Sequence, residues 1–314
     1  MTNSNSRPSE FQLIAALFAP LATAPGAFGL KDDAAVIPAR AGHDLVVTTD
    51  AIVEGVDFFS DDPAPAVAQK ALRVNLSDLA AKGAEPFGYL LNLALPPAVS
   101  MDWLTAFAQG LREDQARYAA SLLGGDTGAT PGPLSVVVTA FGYVQAGRMV
   151  RRNGARPGDR VFVTGAIGDS GGGLAVLNGE GAALAAAHRE ALVTRYRVPE
   201  PPVGLAPWIG RHANAAIDVS DGLIADLGHV AEASGVRIVV EAPRIPRSEA
   251  LVALWGDDVV RAATAGDDYQ VVFTGTQGPD GATCIGRVEA GAGVALVDAQ
   301  GREIAVPRPG FRHF

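Results

Sequence analysis

The residues best placed to do chemistry are carboxylates. Asp32 and Asp33 follow Gly29-Leu30-Lys31 and precede an apolar run. Asp50 closes DLVVTTD, Asp126 sits in the turn Gly124-Gly125-Asp126-Thr127, and Asp218 and Asp221 bracket DVSDG. Each stands where a β-branched run gives way to a turn, the edge at which α/β proteins form ligand crevices. Taken singly, such an Asp is a turn former or a cap, and Asp221 before GLIADLGHV has the pattern of an N-cap. Taken as a set, converging acids repel one another and need cations. Oxygen donors with no cysteine cluster and few histidines favour Mg²⁺ or Ca²⁺ over zinc.

Asn75, Asp78 and Lys82 recur at helical spacing beside an apolar stripe of Leu72, Leu76 and Leu79. That spacing predicts a packed apolar face and an outward polar one, on which an exposed Asp78–Lys82 ion pair would contribute little. Arg148, Arg151, Arg152, Arg156 and Arg160 make five of the 25 basic residues within 148–160. They form either a phosphate clamp or a solvated loop. TGAIGDSGGG (164–173) predicts a strand, a glycine turn and a helix start, a geometry that can present N–H groups to an anion. It has no lysine and fits neither the Walker A pattern nor G-x-G-x-x-G. His43, His188, His212, His229 and His313 show no metal-ligand spacing, and His229 reads as a structural mid-helix residue. There is no G-x-S-x-G elbow. Acids, arginines and no evident nucleophile suit phosphoryl transfer, which needs positioning and charge neutralisation more than covalent help.

The elements that must hold these residues alternate along the chain. Strands are expected at 34–38, 44–50, 135–144, 160–165, 215–220, 237–240 and 270–275. Helices are expected at 64–82, 100–123, 170–188 and 222–234, after a short amphipathic helix through Phe11, Ile14, Leu17 and Phe18 that Pro20 and Pro25 end. Residues 1–9 read as a polar tail. This density of mixed elements means an α/β or α+β fold. The 314 residues suggest two domains, 1–146 and 147–314, with a Gly/Pro-punctuated seam at 146–158; a surface turn inside one domain is the alternative. The chain is 48% hydrophobic and 19% charged, which excludes disorder as the main state. A net charge of -9 argues against coating nucleic acid, which needs a basic face. No apolar run approaches the ~18 residues of a spanning helix, and MTNSNSRPSE lacks a signal-peptide build, so a cytoplasmic protein is expected. Cys284 is the one cysteine, so no disulfide can form within a chain.

Eight stretches in order resemble the thiamine-monophosphate kinase family of the aminoimidazole-ribonucleotide-synthetase-like (PurM-like) superfamily: GLKDDAAV (29–36), TTDAIVEGVDFF (48–59), KALRVNLSDLAAKGAEP (70–86), LLGGDT (122–127), GRMVRRNGARPGDRVFVTGAIGDS (147–170), AIDVSDGLIADLGHV (216–230), GDDYQVVFT (266–274) and GFRHF (310–314). The resemblance implies a two-domain architecture, with an N-terminal mixed sheet and helices that dimerises and a C-terminal α/β domain. It implies transfer of the γ-phosphoryl of ATP to thiamine monophosphate by a homodimer, with several Mg²⁺ held between the domains. By matching motifs, Asp33, Thr48, Thr49, Asp50, Asp78, Asp126, Asp218 and Asp221 would be Mg²⁺ ligands. Gly125, Asp126, Arg152 and Ser220 would contact nucleotide, with Asp50, Asp126 and Arg152 central to catalysis. Asp57, Asp267 and Phe311 would contact substrate.

The departures from the family pattern lie at that substrate end. Asp57 stands where the family usually carries His, Asp267 where it carries Glu, and Phe311 where Tyr is common. A carboxylate near a substrate phosphate repels it unless metal-bound or protonated. Other readings are a PurM-like enzyme with a different acceptor and a non-catalytic binder of thiamine phosphates or Mg·ATP. The single thiol at Cys284 disfavours a selenophosphate synthetase, and the His313-Phe314 terminus a hydrogenase maturation factor.

Overall fold

The computed structural model describes residues 9–311. Of the tail expected over 1–9, all but Ser9 lies outside the described residues, as do His313 and the rest of GFRHF beyond Phe311. The chain forms two compact units. One comprises the residues up to Leu76 with Pro86–Tyr143, the other Ser77–Glu85 with Val144 onward.

The first unit opens with α1 (Glu10–Leu13), a π-helical turn over Ile14–Phe18 and a 3₁₀ turn over Ala19–Leu21 that contains Pro20. The i→i+5 winding changes which side chains share a face. Leu13, Phe18 and Leu21 are buried, while Phe11 is 81% exposed. Of the stripe expected through Phe11, Ile14, Leu17 and Phe18, Phe18 is buried, Ile14 and Leu17 are half-buried, and Phe11 lies outside the packed face. There follow β1 (His43–Val53), α2 (Ala64–Ala81), β2 (Glu85–Leu95), α3 (Met101–Tyr118), β3 (Ser121–Ala129) and β4 (Ser135–Gln145). The sheet order is β1-β4-β2-β3, with β2 and β3 parallel. The strand expected at 34–38 is absent. That segment lies against a 3₁₀ segment, Pro25–Leu30, Val36 N–H donating to the Gly26 carbonyl at 2.8 Å, and Val36 is 56% exposed. The helix expected to 123 stops at Tyr118, because Ala119 is left-handed and Leu122 and Leu123 enter β3. A short apolar run satisfies both periodicities, so only pairing with β2 decides it.

The second unit contains β5 (Arg160–Thr164), α4 (Asp169–Leu177), α5 (Ala186–Arg197), α6 (Ala206–His212), β6 (Ala215–Asp218), α7 (Leu223–Ser234), β7 (Arg237–Glu241), α8 (Glu249–Trp255), α9 (Val259–Thr264), β8 (Val271–Gly275), β9 (Ala282–Glu289) and β10 (Gly293–Val297). Its sheet order is β10-β7-β9-β5-β8-β6. β10 and β7 are parallel, and the other four pairings are antiparallel. The helix expected at 170–188 is split into α4 and α5, with Gly179 and Gly181 between them at φ 96° and 69°.

Strand alternation divides the sheet's side chains between two layers. Val161, Val163, Ile217 and Val272 pack against Leu223, Leu227 and Val230 of α7. Phe162, Ala216, Val271 and Phe273 pack on the other side with Ala80, Ala81 and Ile209. Asp218 ends β6 two residues after Ala216, so it falls on the side that meets the end of α2. No helix of the described residues is long and apolar enough to cross a membrane.

Candidate active site

In the first unit, a cavity of about 620 Å³ brings together Asp33, Gly125 and Asp126 over an apolar floor that includes Phe18, Leu91 and Phe141. Asp126 lies within β3 rather than in a turn. It pairs in register with Asn92, next to Gly125 opposite Leu91. Gly125 has φ 151°, and a Cβ there would meet the Leu91 carbonyl oxygen at 1.8 Å. Only glycine lets β3 run this close to β2, which is what delivers the Asp126 carboxylate to the cavity. Asp50 likewise lies inside β1, which continues to Val53. Thr48 and Asp50 share one face of that strand, and Thr49 the other. The Thr49 hydroxyl is engaged in the sheet, donating to the Val138 carbonyl at 3.1 Å beside Thr139 Oγ1 at 3.0 Å. Asp32 and Asp33 form a bend, not a strand entry, with Asp33 N–H donating to Asp32 Oδ1 at 2.8 Å. Asp57 closes a turn. One carboxylate oxygen accepts Val53 N–H at 2.8 Å, and its carbonyl accepts buried Lys70 Nζ at 2.8 Å.

The second unit gathers its set around the β6–α7 turn. The Asn75–Asp78–Lys82 stripe does not face solvent as a free surface. Asn75 is fully buried, with its amide donating to the Ala71 carbonyl, and Lys82 Nζ donates to the Ala216 carbonyl at 2.8 Å. Helical periodicity says which residues share a face, but not that another layer covers it. Ser77, one residue before Asp78, donates to Asp218 Oδ2 at 2.9 Å. Burial, then the nearby Arg152 charge, lowers the Lys82 ammonium to about 8 against the opposing pull of Asp218 and Asp78. Arg152, Asp218 and Asp78 are thus all within electrostatic reach of one amine. The five arginines of 148–160 are exposed, and Arg160 stacks over Phe162 at 5.4 Å.

Asp221 is not the cap of α7. The N-cap is Gly222, at φ 123°, and the oxygen that accepts the Asp221 and Gly222 N–H groups, at 3.1 Å each, is Oδ2 of Asp226 in the first turn. The turn is held on its other side by backbone. Tyr269 N–H donates to the Val219 carbonyl at 2.8 Å, Asp267 N–H to Ser220 at 2.7 Å and Phe311 N–H to Asp221 at 2.9 Å. These approaches need two glycines. A Cβ on Gly266 would come within 2.7 Å of the Ser220 oxygen, and one on Gly310 within 2.3 Å of the Asp221 oxygen. Asp267 itself sits at φ 61°, its carboxylate accepting the Tyr269 hydroxyl at 3.1 Å, and Phe311 is 48% exposed. The turn that carries Asp218, Ser220 and Asp221 is therefore tied through main chain to Asp267 and Phe311.

This turn suits a divalent cation. Ligand atoms of Asp221, Asp226 and His229 lie within 4.8 Å of one another. Burial first, then the charges of Asp218 and Asp221, push the Asp226 carboxyl up to about 8. Excess negative charge on hard oxygen donors is what Mg²⁺ offsets. His229 is thus not an isolated helix residue. The spacing D-x-x-H one turn into α7 is a signal that sequence reading passed over.

The glycine turn at 165–168 is not an open anion cradle. Gly168 N–H donates to Asp268 Oδ2 at 2.7 Å and Ser170 N–H lies 3.4 Å from Oδ1. The acceptor at the start of α4 is the protein's own side chain. Burial raises the Asp268 carboxyl well above its usual range, against those two hydrogen bonds. The folded state therefore holds this proton more tightly than the unfolded chain, and the stability it contributes is lost as pH rises toward the folded pKa. The unfolding free energy of the wild type relative to Asp268→Asn should fall from about pH 4 upward. Parallel urea titrations that give a pH-independent difference would contradict this.

Two family models match in tandem: AIR synthase related protein, N-terminal domain, over residues 31–144, and its C-terminal domain over 156–299. The fold and site accordingly define an AIR synthase related protein. The thiamine-monophosphate kinase of Caulobacter vibrioides is 47% identical over 84% of this chain and 76% of its own length. The crystal structure of thiamine-monophosphate kinase from Stenotrophomonas maltophilia superposes with a TM-score of 0.83 at 38% identity, covering 94% of this chain and 98% of that one. AaThiL complexed with AMPPCP and TMP superposes at 0.80 with 34% identity, covering 92% and 97%. The chain belongs to the thiamine-monophosphate kinase family.

Proposed function

We propose that this chain transfers the γ-phosphoryl group of ATP to thiamine monophosphate, giving thiamine diphosphate and ADP. The observation that carries the reading is the 218–222 turn, whose acids and Ser220 share one hydrogen-bonded backbone frame with Asp267 and Phe311. An oxygen of the substrate phosphate attacks the γ-phosphorus in line. The new P–O bond forms as the bond to the β-phosphate oxygen breaks, and ADP leaves with that electron pair. The attacking phosphate is ionised at neutral pH, so no strong general base is needed.

In this reading Asp33, Thr48, Asp50, Asp78, Asp126, Asp218 and Asp221 serve as Mg²⁺ ligands. Thr49 is the weakest member of that set, because its hydroxyl is already engaged in the sheet. Bound Mg²⁺ would neutralise the facing phosphates and the charge that builds up in the transition state. Gly125, Asp126, Arg152 and Ser220 contact nucleotide, and Asp57, Asp267 and Phe311 contact thiamine monophosphate. Residues 1–146 bind Mg·ATP and form a homodimer, residues 147–314 complete the site, and the enzyme works in the cytoplasm on its ATP pool.

The test is ADP release from Mg·ATP with thiamine monophosphate, thiamine or no acceptor. Stimulation by thiamine monophosphate alone, with one thiamine diphosphate per ADP, is expected. Nucleotide binding without stimulation would leave the fold standing and overturn the acceptor.

A further inference from the structure

We propose that Asp226 is a positioning residue of this site, acting through Asp221. The inference rests on the phosphoryl-transfer reading above. Asp226 lies on α7, is buried, and directs one oxygen at two consecutive N–H groups, those of Asp221 and Gly222, at 3.1 Å each. Those groups belong to the residue that carries the Asp221 carboxylate and to the glycine whose φ of 123° lets the chain turn into α7. Nothing in the cap position supplies this acceptor, since Gly222 has no side chain. Without Asp226 the turn would remain tied on one side, by Asp267 and Phe311, and be released on the other. The direction in which Asp221 points is therefore set one turn into the helix. A metal ligand is oriented in this way by an outer partner, whose loss typically costs about 10–100-fold in metal affinity.

Geometry and charge are separable here. Asp226→Asn keeps an acceptor oxygen at the same reach and removes the ionisable carboxyl. Asp226→Glu keeps the carboxyl and moves the acceptor by a methylene. Asp226→Ala removes both. Mn²⁺ binding in the presence of a non-hydrolysable ATP analogue, followed by the loss of the free Mn²⁺ electron paramagnetic resonance signal, reads the site without turnover. Thermal melts identify which variants are folded. Expected is a roughly tenfold or greater weakening in Asp226→Ala and Asp226→Glu, with Asp226→Asn within about threefold of wild type. In an Asp221→Ala background, Asp226→Ala should add nothing further. The proposal is overturned if Asn weakens binding as much as Ala, since Asp226 would then act by charge or direct ligation. It is also overturned if the Ala and Glu variants bind as wild type, or if the losses at 221 and 226 simply add. If Ala fails to fold, the contrast between Asn and Glu decides alone. No Mn²⁺ binding by the wild type would overturn the phosphoryl-transfer reading and this proposal together, whereas wild-type binding with unaffected variants removes only the latter.

Discussion

Asp126→Asn should lower turnover with thiamine monophosphate by about a hundred- to a thousandfold, the scale of losing one charge-stabilising group at a reacting centre. Asp126 is exposed on β3 and lines the cavity with Asp33 and Gly125. The substitution is nearly isosteric, and β3 is held to β2 by backbone pairing, so the fold should be unaffected. What is lost is one negative charge from the proposed metal set. Part of the defect should be recovered by raising Mg²⁺, because a weakened ligand set raises the concentration needed to fill it. Asp50→Asn should behave alike, and the double variant should lose less than the product of the two, as groups acting as one unit do. The measurement is steady-state kinetics across a Mg²⁺ series, with urea unfolding as the control. Turnover within threefold of wild type would remove Asp126 from the metal set.

Asp114→Ala should destabilise the first unit by about 3–5 kcal/mol, the scale of stranding a buried charge. Arg73 on α2 donates to both carboxylate oxygens of Asp114 on α3, through Nε and Nη2 at 2.7 Å each. Their side chains are 4% and 1% exposed. The Tyr118 ring lies 5.5 Å from the guanidinium and offsets only part of a stranded charge. Replacing both partners with apolar residues of similar size should cost less than Asp114→Ala alone, because the desolvation of the arginine is then no longer uncompensated. Urea denaturation of the single and double variants checks both statements. A single-variant loss below 1 kcal/mol would show that water reaches the arginine.

Much of the fold was legible because it is written in local periodicity. DLVVTTD, SVVVTAFGYV and RVFVTG carry strand patterns that pairing retains, and 64–82 and 222–234 fold as helices within a residue. Failures occurred where two local readings tie. AAVIP has a strand's composition but no partner strand. Leu122 and Leu123 satisfy a helix continuing from α3 as well as a strand, and the residue that breaks the tie, left-handed Ala119, has no turn signature. The strands β2, β3, β9 and β10 went unread because neither alternation nor β-branching is strong in EPFGYLLNLAL or ATCIGRVE.

Residue order alone established the chemistry available: many Asp, one thiol, a cluster of arginines, no Walker A loop or nucleophile elbow, and motifs in family order. Residue identity and spacing along the chain suffice for that. Which acid does what followed from the fold. It made Gly222, not Asp221, the cap of α7 and Asp226 the acceptor for the turn's N–H groups, filled the glycine turn with Asp268 from about a hundred residues away, buried Asn75 and engaged half-buried Lys82 with the Ala216 carbonyl. It also showed that Gly266 and Gly310 let two distant segments touch the Ser220–Asp221 backbone. A local pattern says which groups share a face or a turn, whereas burial, hydrogen-bond competition and pKa depend on which remote segment arrives to cover them.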